Sequence, residues 1–471
     1  MKGGRTMEFD AIIVGSGQAG SPLASALAQH GWKVALIERS HLGDTCINTG
    51  CTPTKTLVHR AEVAHYARSG ARWGVSTKEV RVDLPKIIAQ KDALIQSRRE
   101  GQQKRIDQLP NLHLYRGSAR FVGPRELSVG TEILKGRRIF INTGDHPSIP
   151  TLPGLESVPY LTNESILDLK ILPKHLIVIG GGYIGLEFAQ MFSRFGSDVT
   201  IVQSREQILP REDPEVAKEL QRALEAEGIK VVLNSKIKSL TERDGAIIAE
   251  AAVANDGGSA SIEGTHVLVA TGRRPNTEDL DLHKAGIHTD NHGFVSVNDK
   301  LETSAEGVWA LGDVKGGPAF THISYNDYQI VFANLIDGKN LSIKDRIVPY
   351  CVFTDPELGR VGMTEREARA TGLPLKIGKT PMTQVARAIE RDETAGLMKL
   401  IVDATNDHIL GATVLASNGG ELVQILYALM LGNLPYTLLK GAVYIHPTLA
   451  EGFFFLIDDV KSAESPAMAA D

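Results

Sequence analysis

Two cysteines five positions apart are the residues best suited to do chemistry. Cys46 and Cys51 lie at the start of a predicted helical segment, and Lys55 follows them. A helix N-terminus and a nearby ammonium group both lower the pKa of a thiol, and only the thiolate attacks a disulfide or a metal ion. A zinc site needs about four ligands, which no further cysteine cluster provides, so we expect a redox-active dithiol and no resident metal. The remaining cysteine, Cys351, is expected to be an inert packed thiol.

A histidine and a carboxylate near the C-terminal end form a second reactive pair. His446 and Glu451 are separated by a turn that contains Pro447. A carboxylate that orients an imidazole fixes its tautomer and favours its protonated form, which suits a proton shuttle to a thiol. A histidine alone is more often a packed core residue, so this hypothesis depends on the presence of the dithiol.

A β-α-β unit precedes the cysteines and must position them. An apolar run ends at Val14 and leads into Gly15, Gly17 and Gly20, a helical pattern follows, and the next apolar run ends in Glu38. Glycines at this spacing let backbone N–H groups approach a pyrophosphate at a helix N-terminus, and the carboxylate accepts hydrogen bonds from ribose hydroxyls. The pattern predicts a dinucleotide site, with a flavin on the side of the cysteines.

The same unit occurs a second time along the chain. Adding 165 to each position maps the three glycines onto Gly180, Gly182 and Gly185, and maps residues 34–37 onto residues 199–202 without a gap. A single G-x-G-x-x-G motif is a weak signal, but its repetition together with the flanking strands is not. The alternative is that both glycine turns merely let a helix pack closely on a strand. It does not explain why the glycines and the flanking strands recur together, so we expect two dinucleotide sites.

The two units differ where the first has its acidic residue. The counterpart of Glu38 is Gln203, which is followed by Ser204 and Arg205, with Arg211 beyond. A carboxylate would repel a 2′-phosphate, whereas its loss beside arginines removes the repulsion and provides a bidentate cation. We therefore expect NADPH at the second site. The alternative is that the arginines are solvated loop charges and that the site binds NADH, with lower affinity.

Length, composition and charge limit the class of protein. At 471 residues the chain exceeds the roughly 100–200 residues of one typical domain. Its 42% apolar and 23% charged residues are typical of a globular protein, and no apolar run approaches the roughly 18 residues that span a bilayer. A net charge of −5 gives no reason to expect nucleic acid as a partner. With three cysteines and no secretory pattern, we expect a reducing compartment, the cytoplasm, and no membrane partner.

These features together resemble the pyridine nucleotide–disulfide oxidoreductases, the class I flavoprotein disulfide reductases that include glutathione reductase, dihydrolipoamide dehydrogenase and mercuric reductase. The resemblance covers nearly the whole chain. Besides the glycine turns and the cysteine pair, its motifs are residues 141–144, 182–187, 270–276, 310–313, 353–357 and 446–448. It implies an α/β fold with two Rossmann-like domains, for FAD and NAD(P)H, and a C-terminal α+β dimerisation domain.

The resemblance also implies limits for these domains. The FAD domain would consist of residues 7–150 and 274–345, the NAD(P)H domain of residues 151–273, and the dimerisation domain of residues 346–471. The chain would form a homodimer with a shared active site, because in the family the His-Glu pair of one subunit reaches the dithiol of the other.

By the family's pattern, electrons pass from NAD(P)H through FAD to the Cys46–Cys51 disulfide and on to a substrate. Cys51 would be the thiol nearer the flavin, and Cys46 the outer thiol that meets the substrate. Lys55 would pair with Glu187 beside the flavin, and Tyr183 would cover the nicotinamide pocket until the nucleotide enters. The other residues that the motifs assign to cofactors are, for FAD, Thr45, Thr143, Gly144 and Asp313, and, for NAD(P)H, Gly272.

The resemblance leaves the substrate open among a disulfide, a metal ion and a small electrophile. Residues 45–58 resemble bacterial mercuric-reductase-like members most, but no cysteine follows Cys351, whereas mercuric reductases carry a C-terminal pair. Residues 446–451 are close to the pattern of dihydrolipoamide dehydrogenase, the second candidate, although Gln203 replaces its acidic residue. The alternatives of another class are a flavin-direct NADPH oxidase or quinone reductase, and a redox sensor, which would not need a His-Glu proton shuttle.

We expect Cys46→Ser to abolish reduction of a disulfide or a metal ion while FAD stays bound and reducible by the nucleotide, because only the outer thiol is removed. Flavin absorbance during anaerobic NADPH titration, followed by turnover with an added oxidant, measures both properties. Cys351→Ser is the control and should keep its activity. Full turnover by Cys46→Ser would refute the assignment.

Overall fold

The computed structural model describes residues 6–253 and 258–463, which form a mixed α/β fold. The α-helices are α1 (Gly20–Gln29), α2 (Asp44–Asn48), α3 (Cys51–Ser69), α4 (Leu84–Asp107), α5 (Tyr183–Phe195), α6 (Pro214–Ala226), α7 (Thr321–Ile336), α8 (Glu365–Ala370), α9 (Ala386–Glu390), α10 (Gly419–Leu431) and α11 (Gly452–Asp458). None of the helices within these two ranges has the length and apolar character that a membrane crossing requires.

The strands of the same ranges follow the order of the chain. They are β1 (Thr6–Val14), β2 (Val34–Glu38), β3 (Leu112–Arg116), β4 (Ala119–Gly123), β5 (Glu126–Val129), β6 (Glu132–Ile141), β7 (Asp145–Pro147), β8 (Tyr160–Leu161), β9 (His175–Ile179), β10 (Asp198–Val202), β11 (Lys230–Val232), β12 (Ser235–Arg243), β13 (Ala246–Val253), β14 (Ser259–Gly264), β15 (His266–Val269), β16 (Arg273–Pro275), β17 (Val308–Ala310), β18 (Pro349–Val352), β19 (Glu357–Gly362), β20 (Leu375–Pro381), β21 (Leu397–Asp403), β22 (Ile409–Ala416) and β23 (Lys461–Ser462).

Two mainly parallel sheets carry the two glycine turns. The first has the strand order β3-β2-β1-β6-β5-β4, with β17 also paired to β6, and the second has the order β11-β10-β9-β15-β8. Strands β2 and β9 are nearly continuous buried apolar runs, as expected for strands covered on both faces. Both glycine turns leave the carboxyl end of a central strand, which is where open α/β sheets bind dinucleotides.

Glycine is required in both turns because the backbone passes too close for a side chain. A Cβ on Gly20 would lie 2.1 Å from the carbonyl oxygen of Gly15, and a Cβ on Gly185 would lie 2.1 Å from that of Gly180. Gly15 and Gly180 also have φ angles of +102° and +112°, which other residues rarely adopt. The same steric constraint therefore acts in both units.

The chain completes the first sheet only after it has built the second. β17 pairs in parallel with β6, and β16 pairs with β7. A three-stranded sheet of β12-β13-β14 and an antiparallel six-stranded sheet in the order β18-β19-β22-β21-β20-β23 make up the rest, with α10 and α11 packed on the latter. The predicted fold class, two Rossmann-like units and a C-terminal α+β unit, is confirmed.

A buried lysine joins the second Rossmann-like unit to the C-terminal sheet. Lys399 on β21 is 1% exposed, and its Nζ lies 2.9 Å from Asp213, 2.7 Å from Glu215 and 2.7 Å from Glu365. Asp213 is itself 2% exposed, so the lysine provides the positive charge that offsets its desolvation. The contact holds the start of α6 against β21 and α8.

Lys399→Met should lower the free energy of unfolding by about 3–5 kcal/mol, because it leaves a buried carboxylate without its counter-charge. Urea unfolding followed by intrinsic tryptophan fluorescence measures the change. Lys461→Met is the matched control, since Lys461 pairs with Asp459 but is 74% exposed, and it should change stability by less than about 0.5 kcal/mol. Equal losses in the two variants would contradict this role of Lys399.

Candidate active site

The two cysteines lie on two consecutive helices. Cys46 is in α2 and Cys51 is the first residue of α3. The sequence predicted a single helical start here, but the chain turns at Gly50, where a Cβ would lie 2.8 Å from the carbonyl oxygen of Thr45. Both cysteines are free thiols and line the same cavity. Across residues 6–253 and 258–463, no group of three or more His, Cys, Asp or Glu is arranged to hold a metal ion.

Cys51 occupies a position that stabilises a thiolate. It begins α3, and Thr321, the first residue of α7, places Oγ1 at 3.1 Å from Cys51 Sγ, so two helix N-termini meet at this sulfur. The hydrogen bond from Cys46 lowers the pKa of Cys51 to about 6 against the opposing effect of burial, with further contributions from Thr321 and the charge of Lys55. The same hydrogen bond, together with burial, raises the pKa of Cys46.

Lys55 is held by a carboxylate from the second Rossmann-like unit. Its Nζ lies 2.7 Å from Glu187 Oε2 on α5 and 4.7 Å from the centre of the Phe353 ring. The other oxygen of Glu187 accepts a hydrogen bond of 3.0 Å from the backbone N–H of Phe353. Burial lowers the pKa of Lys55, but the charge and hydrogen bond of Glu187 outweigh it, so the net shift is upward and the ammonium form is favoured.

Two adjoining cavities have the shape and chemistry for FAD. The cavity of the thiols and a second cavity, which reaches Glu38, share Asp44 in their walls. Together they run from the first glycine turn to Cys51. Glycine backbone at the turn suits a pyrophosphate and the carboxylate suits a ribose, as a dinucleotide requires, and the dithiol lies at the opposite end. The residues present therefore fit FAD.

Glu38 is positioned by its neighbours before any ribose contacts it. Its carboxylate is buried and accepts hydrogen bonds from Ser16, at 3.0 Å from the backbone N–H and 2.7 Å from the hydroxyl, and from the N–H of Ser40 at 2.8 Å. Sequence reasoning missed Ser16, which fills the first variable position of the glycine motif.

Asn142 ties the first glycine turn to a distant strand and was also missed as a site residue. Its Oδ1 accepts a hydrogen bond of 2.7 Å from Gly20 N, and its Nδ2 donates one of 2.8 Å to Leu311 O. A buried asparagine directly after a buried apolar strand was the available signal, because a buried amide must find partners. Thr143 follows it and donates to Asn276 O at 2.8 Å.

Carboxylic acids line the middle of the FAD cavities. Burial raises the pKa of Asp44 and of Asp313 to about 7 each, and neighbouring carboxylates add to the shift. Asp145 is instead paired with Arg273 at 2.7 Å. The motifs indicate Asp313 but not Asp44, Asp145 or Arg273. Thr45 and Gly144, which the motifs assign to FAD, line the same cavity as Asp313.

The second glycine turn ends at the cavity of the thiols. Gly182 caps α5, and Tyr183 begins it, 37% exposed in the cavity wall. Gln203 is buried at the end of β10, whereas Ser204 and Arg205 are exposed. Gly272, with a φ of +123°, follows β15 at the neighbouring strand end. The second glycine turn, Tyr183 and the loop that contains Arg205 therefore lie together at the carboxyl ends of β9, β10 and β15.

His446 and Glu451 pair with each other but lie away from the cysteines of their own chain. His446 Nδ1 is 3.0 Å from the Glu451 carboxylate, and His446 is 69% exposed. Neither residue is among those lining the cavity of the thiols. Val443 and Ile445, just before the histidine, are 99% and 78% exposed, which is unusual for large apolar side chains and marks an interaction surface.

Comparison with known protein families identifies the two parts of the chain. The family model described as pyridine nucleotide-disulphide oxidoreductase matches residues 9–327. The model described as the dimerisation domain of the same oxidoreductases matches residues 348–454, which supports a homodimer.

Individual relatives cover the chain almost completely. The probable pyridine nucleotide-disulfide oxidoreductase RclA of Escherichia coli is 36% identical over 96% of this chain and 100% of its own length. A mercuric reductase of Lysinibacillus sphaericus is 37% identical over 94% and 81%, and a dihydrolipoyl dehydrogenase of Thermus scotoductus is 38% identical over 94% and 95%. A solved Cu(II) complex of the HOCl-induced flavoprotein disulfide reductase RclA superposes with a TM-score of 0.88, at 36% identity, over 97% of this chain and 100% of that one.

Thr321→Val should raise the apparent pKa of the reduced dithiol from about 6 by about one to two units, because a hydrogen bond to a charged group is worth about 1.5–3 kcal/mol. Since a lowered pKa means that the thiolate is present above pH 6 and lost below it, thiolate ultraviolet absorbance of the reduced protein as a function of pH is the measurement. Thr56→Val, on the same helix as Cys51, is the control. An unshifted titration in Thr321→Val would contradict the role of the hydroxyl.

Proposed function

This chain belongs to the pyridine nucleotide-disulphide oxidoreductase family, an FAD-dependent and NAD(P)H-using family, and we propose that NADPH supplies electrons that reach a substrate through Cys51 and Cys46. The observation that carries the proposal is the placement of Cys46 and Cys51 together in a cavity that fits FAD, with Thr321 Oγ1 at 3.1 Å from Cys51 Sγ. We also propose the domain limits 7–150 with 274–345, 151–273 and 346–471, which the β6–β17 and β7–β16 pairings support.

When bound, FAD supplies the two-electron chemistry that joins a nicotinamide to a disulfide. The first glycine turn would hold its pyrophosphate, Glu38 its ribose, and Asp313 its ribityl hydroxyls. Thr45, Thr143 and Gly144 would line its path. Because Asp313 is protonated to a substantial extent near neutral pH, it can donate as well as accept a hydrogen bond there.

The two cysteines divide the work on a disulfide substrate. Cys46 attacks one sulfur of the substrate and releases its first thiol, and Cys51 then attacks the mixed disulfide at Cys46, releasing the second thiol and leaving the Cys46–Cys51 disulfide. The raised pKa of Cys46 means that a base must remove its proton before attack. The two electrons gained by the substrate are those lost by the dithiol.

We assign that base to His446 of the partner subunit, oriented by the Glu451 carboxylate. The exposure of His446, its absence from the cavity of its own chain, and the exposed apolar residues beside it support a site completed across the dimer. It would accept the proton of Cys46 and return it to the first leaving thiolate.

The side chain of Lys55 would keep a positive charge beside the thiolate. The charge of Lys55 lowers the pKa of Cys51, and the charge of Glu187 opposes this by a smaller amount. Lys55 and Glu187 therefore act as a fixed dipole that favours the ionised sulfur.

A metal ion is the second candidate substrate, favoured by relatives named mercuric reductase and by the Cu(II) complex of RclA. The same two electrons reduce one Hg(II) to Hg(0) or two Cu(II) to Cu(I). NADPH oxidation should be measured with oxidised glutathione, lipoamide, Hg(II), Cu(II) and a quinone, before and after alkylation of the reduced dithiol. Loss of disulfide and metal reduction supports the dithiol route, whereas unchanged activity with every oxidant would indicate direct transfer from FAD.

Gln203→Glu should move nucleotide preference from NADPH toward NADH by about tenfold or more in the ratio of kcat/KM values, because a carboxylate accepts both ribose hydroxyls and repels a 2′-phosphate. Steady-state kinetics with both nucleotides measure the ratio. Gln329→Glu is the control, because Gln329 is exposed on α7 and its side-chain oxygen accepts a hydrogen bond from Asn326, which a carboxylate can also accept. An unchanged ratio in Gln203→Glu would refute the nucleotide assignment.

A further inference from the structure

Phe320 lies at the centre of an aromatic cluster beside the cavity of the thiols. Its ring is parallel within 10° to the ring of Tyr350, at 5.3 Å between centroids, and to that of His322, at 5.4 Å. It also contacts the ring of Tyr183, at 6.2 Å between centroids and with an interplanar angle of 43°. These separations are within the range in which aromatic pairs attract each other.

The ring that supports Phe320 is itself held firmly. The Tyr350 hydroxyl donates to Glu212 Oε1, and Arg360 Nη1 lies 3.0 Å from the other oxygen of the same carboxylate. Glu212 and Arg360 are both buried. His322 Nε2 lies 2.6 Å from the carbonyl oxygen of Pro349. Phe320 is therefore stacked on a ring that cannot move without losing its hydrogen bond to a buried carboxylate, which Arg360 holds in place.

The contact with Tyr183 differs from the other two because, within residues 6–253 and 258–463, no side-chain hydrogen bond fixes the Tyr183 ring, whereas Tyr350 and His322 each make one. Tyr183 is 37% exposed and lines the cavity, and within the same ranges its ring contacts only that of Phe320. Phe320 immediately precedes Thr321, whose hydroxyl contacts Cys51. Two adjacent residues therefore contact the two parts of the site: Phe320 contacts Tyr183, and Thr321 contacts Cys51.

We propose that Phe320 is a positioning residue for nucleotide entry: its ring, supported by Tyr350, holds Tyr183 across the nicotinamide pocket in the resting state. The inference rests on the proposed function, in which Tyr183 covers that pocket. A contact made only in the closed state lowers the apparent affinity for any ligand that needs the open state, in proportion to the open fraction.

Removing the Phe320 ring should therefore tighten nucleotide binding. One aromatic contact corresponds to about a two- to tenfold change in an equilibrium constant. The affinities for NADP⁺ and NAD⁺ should increase by the same factor, because Tyr183 covers the pocket of the nicotinamide ring, which both nucleotides share. A change in the loop that contains Arg205 and Arg211, by contrast, would alter the affinity for NADP⁺ only.

The test is the dissociation constant of NADP⁺ and of NAD⁺ for the FAD-loaded, oxidised protein, measured by isothermal titration calorimetry. Phe320→Ala should lower both constants about two- to tenfold, and Phe320→Tyr, which keeps a ring, should restore them. Phe320→Leu, which keeps apolar volume without a ring, gives the same expectation where the alanine variant does not fold. Tyr325→Ala, which truncates an exposed ring on α7 that contacts Tyr328, is the control and should change neither constant.

A double-mutant cycle separates gating from a general loss of packing. In a Tyr183→Ala background, Phe320→Ala should have no further effect, because the closed contact is already gone. Unchanged or weaker binding in Phe320→Ala and Phe320→Leu, or an effect that persists without Tyr183, would overturn the inference. If the wild-type protein instead fails to oxidise NADPH or to bind FAD, the proposed function itself is wrong.

Discussion

A negative charge on Cys51 is the physical condition on which the site depends. A thiolate in a half-closed cavity loses hydration, so protein groups must replace the water. Cys46, Thr321 and Lys55 do this from three separate segments, α2, α7 and α3. Because Lys55 is in turn held by Glu187 on α5, a residue of the second unit fixes the cation beside the sulfur of the first, although the charge of Glu187 itself raises the pKa of Cys51. The two nucleotide units must therefore be docked before the dithiol has its working electrostatics.

A second docking, that of the second nucleotide unit on the C-terminal unit, is maintained by buried charges. Lys399 ties the start of α6 to the C-terminal sheet, and Glu212, the residue before Asp213, ties the neighbouring loop to Tyr350 and Arg360. These contacts are buried, where an ion pair resists separation because each partner left alone would be an unpaired charge. The geometry at the cavity thus depends on buried ion pairs between the second unit and the C-terminal unit.

What the sequence could predict was local or repeated. The glycine turns, Glu38 and the contrast with Gln203 follow from short motifs, and the duplication at a constant offset made the two nucleotide units secure. Thr321 was out of reach, because it contacts a cysteine 270 positions away, and no motif brings them together. Asn142 was quoted within a motif but not understood, since its role is a hydrogen bond to Gly20, 122 positions earlier. The break between α2 and α3 also needed tertiary information, because it arises from the close approach of Gly50 to Thr45.

The bridge that Asn142 makes between Gly20 and Leu311 also bears on how the protein matures. A ribosome releases the chain from its N-terminal end, so the first glycine turn emerges long before the strand that supplies Leu311. Until that later segment returns, β6 lacks its partner β17 and the asparagine amide lacks its acceptor. The nascent polypeptide consequently has its phosphate-binding turn early, but the hydrogen bond and the strand pairing that support this turn form only after Leu311 and β17 have been synthesised.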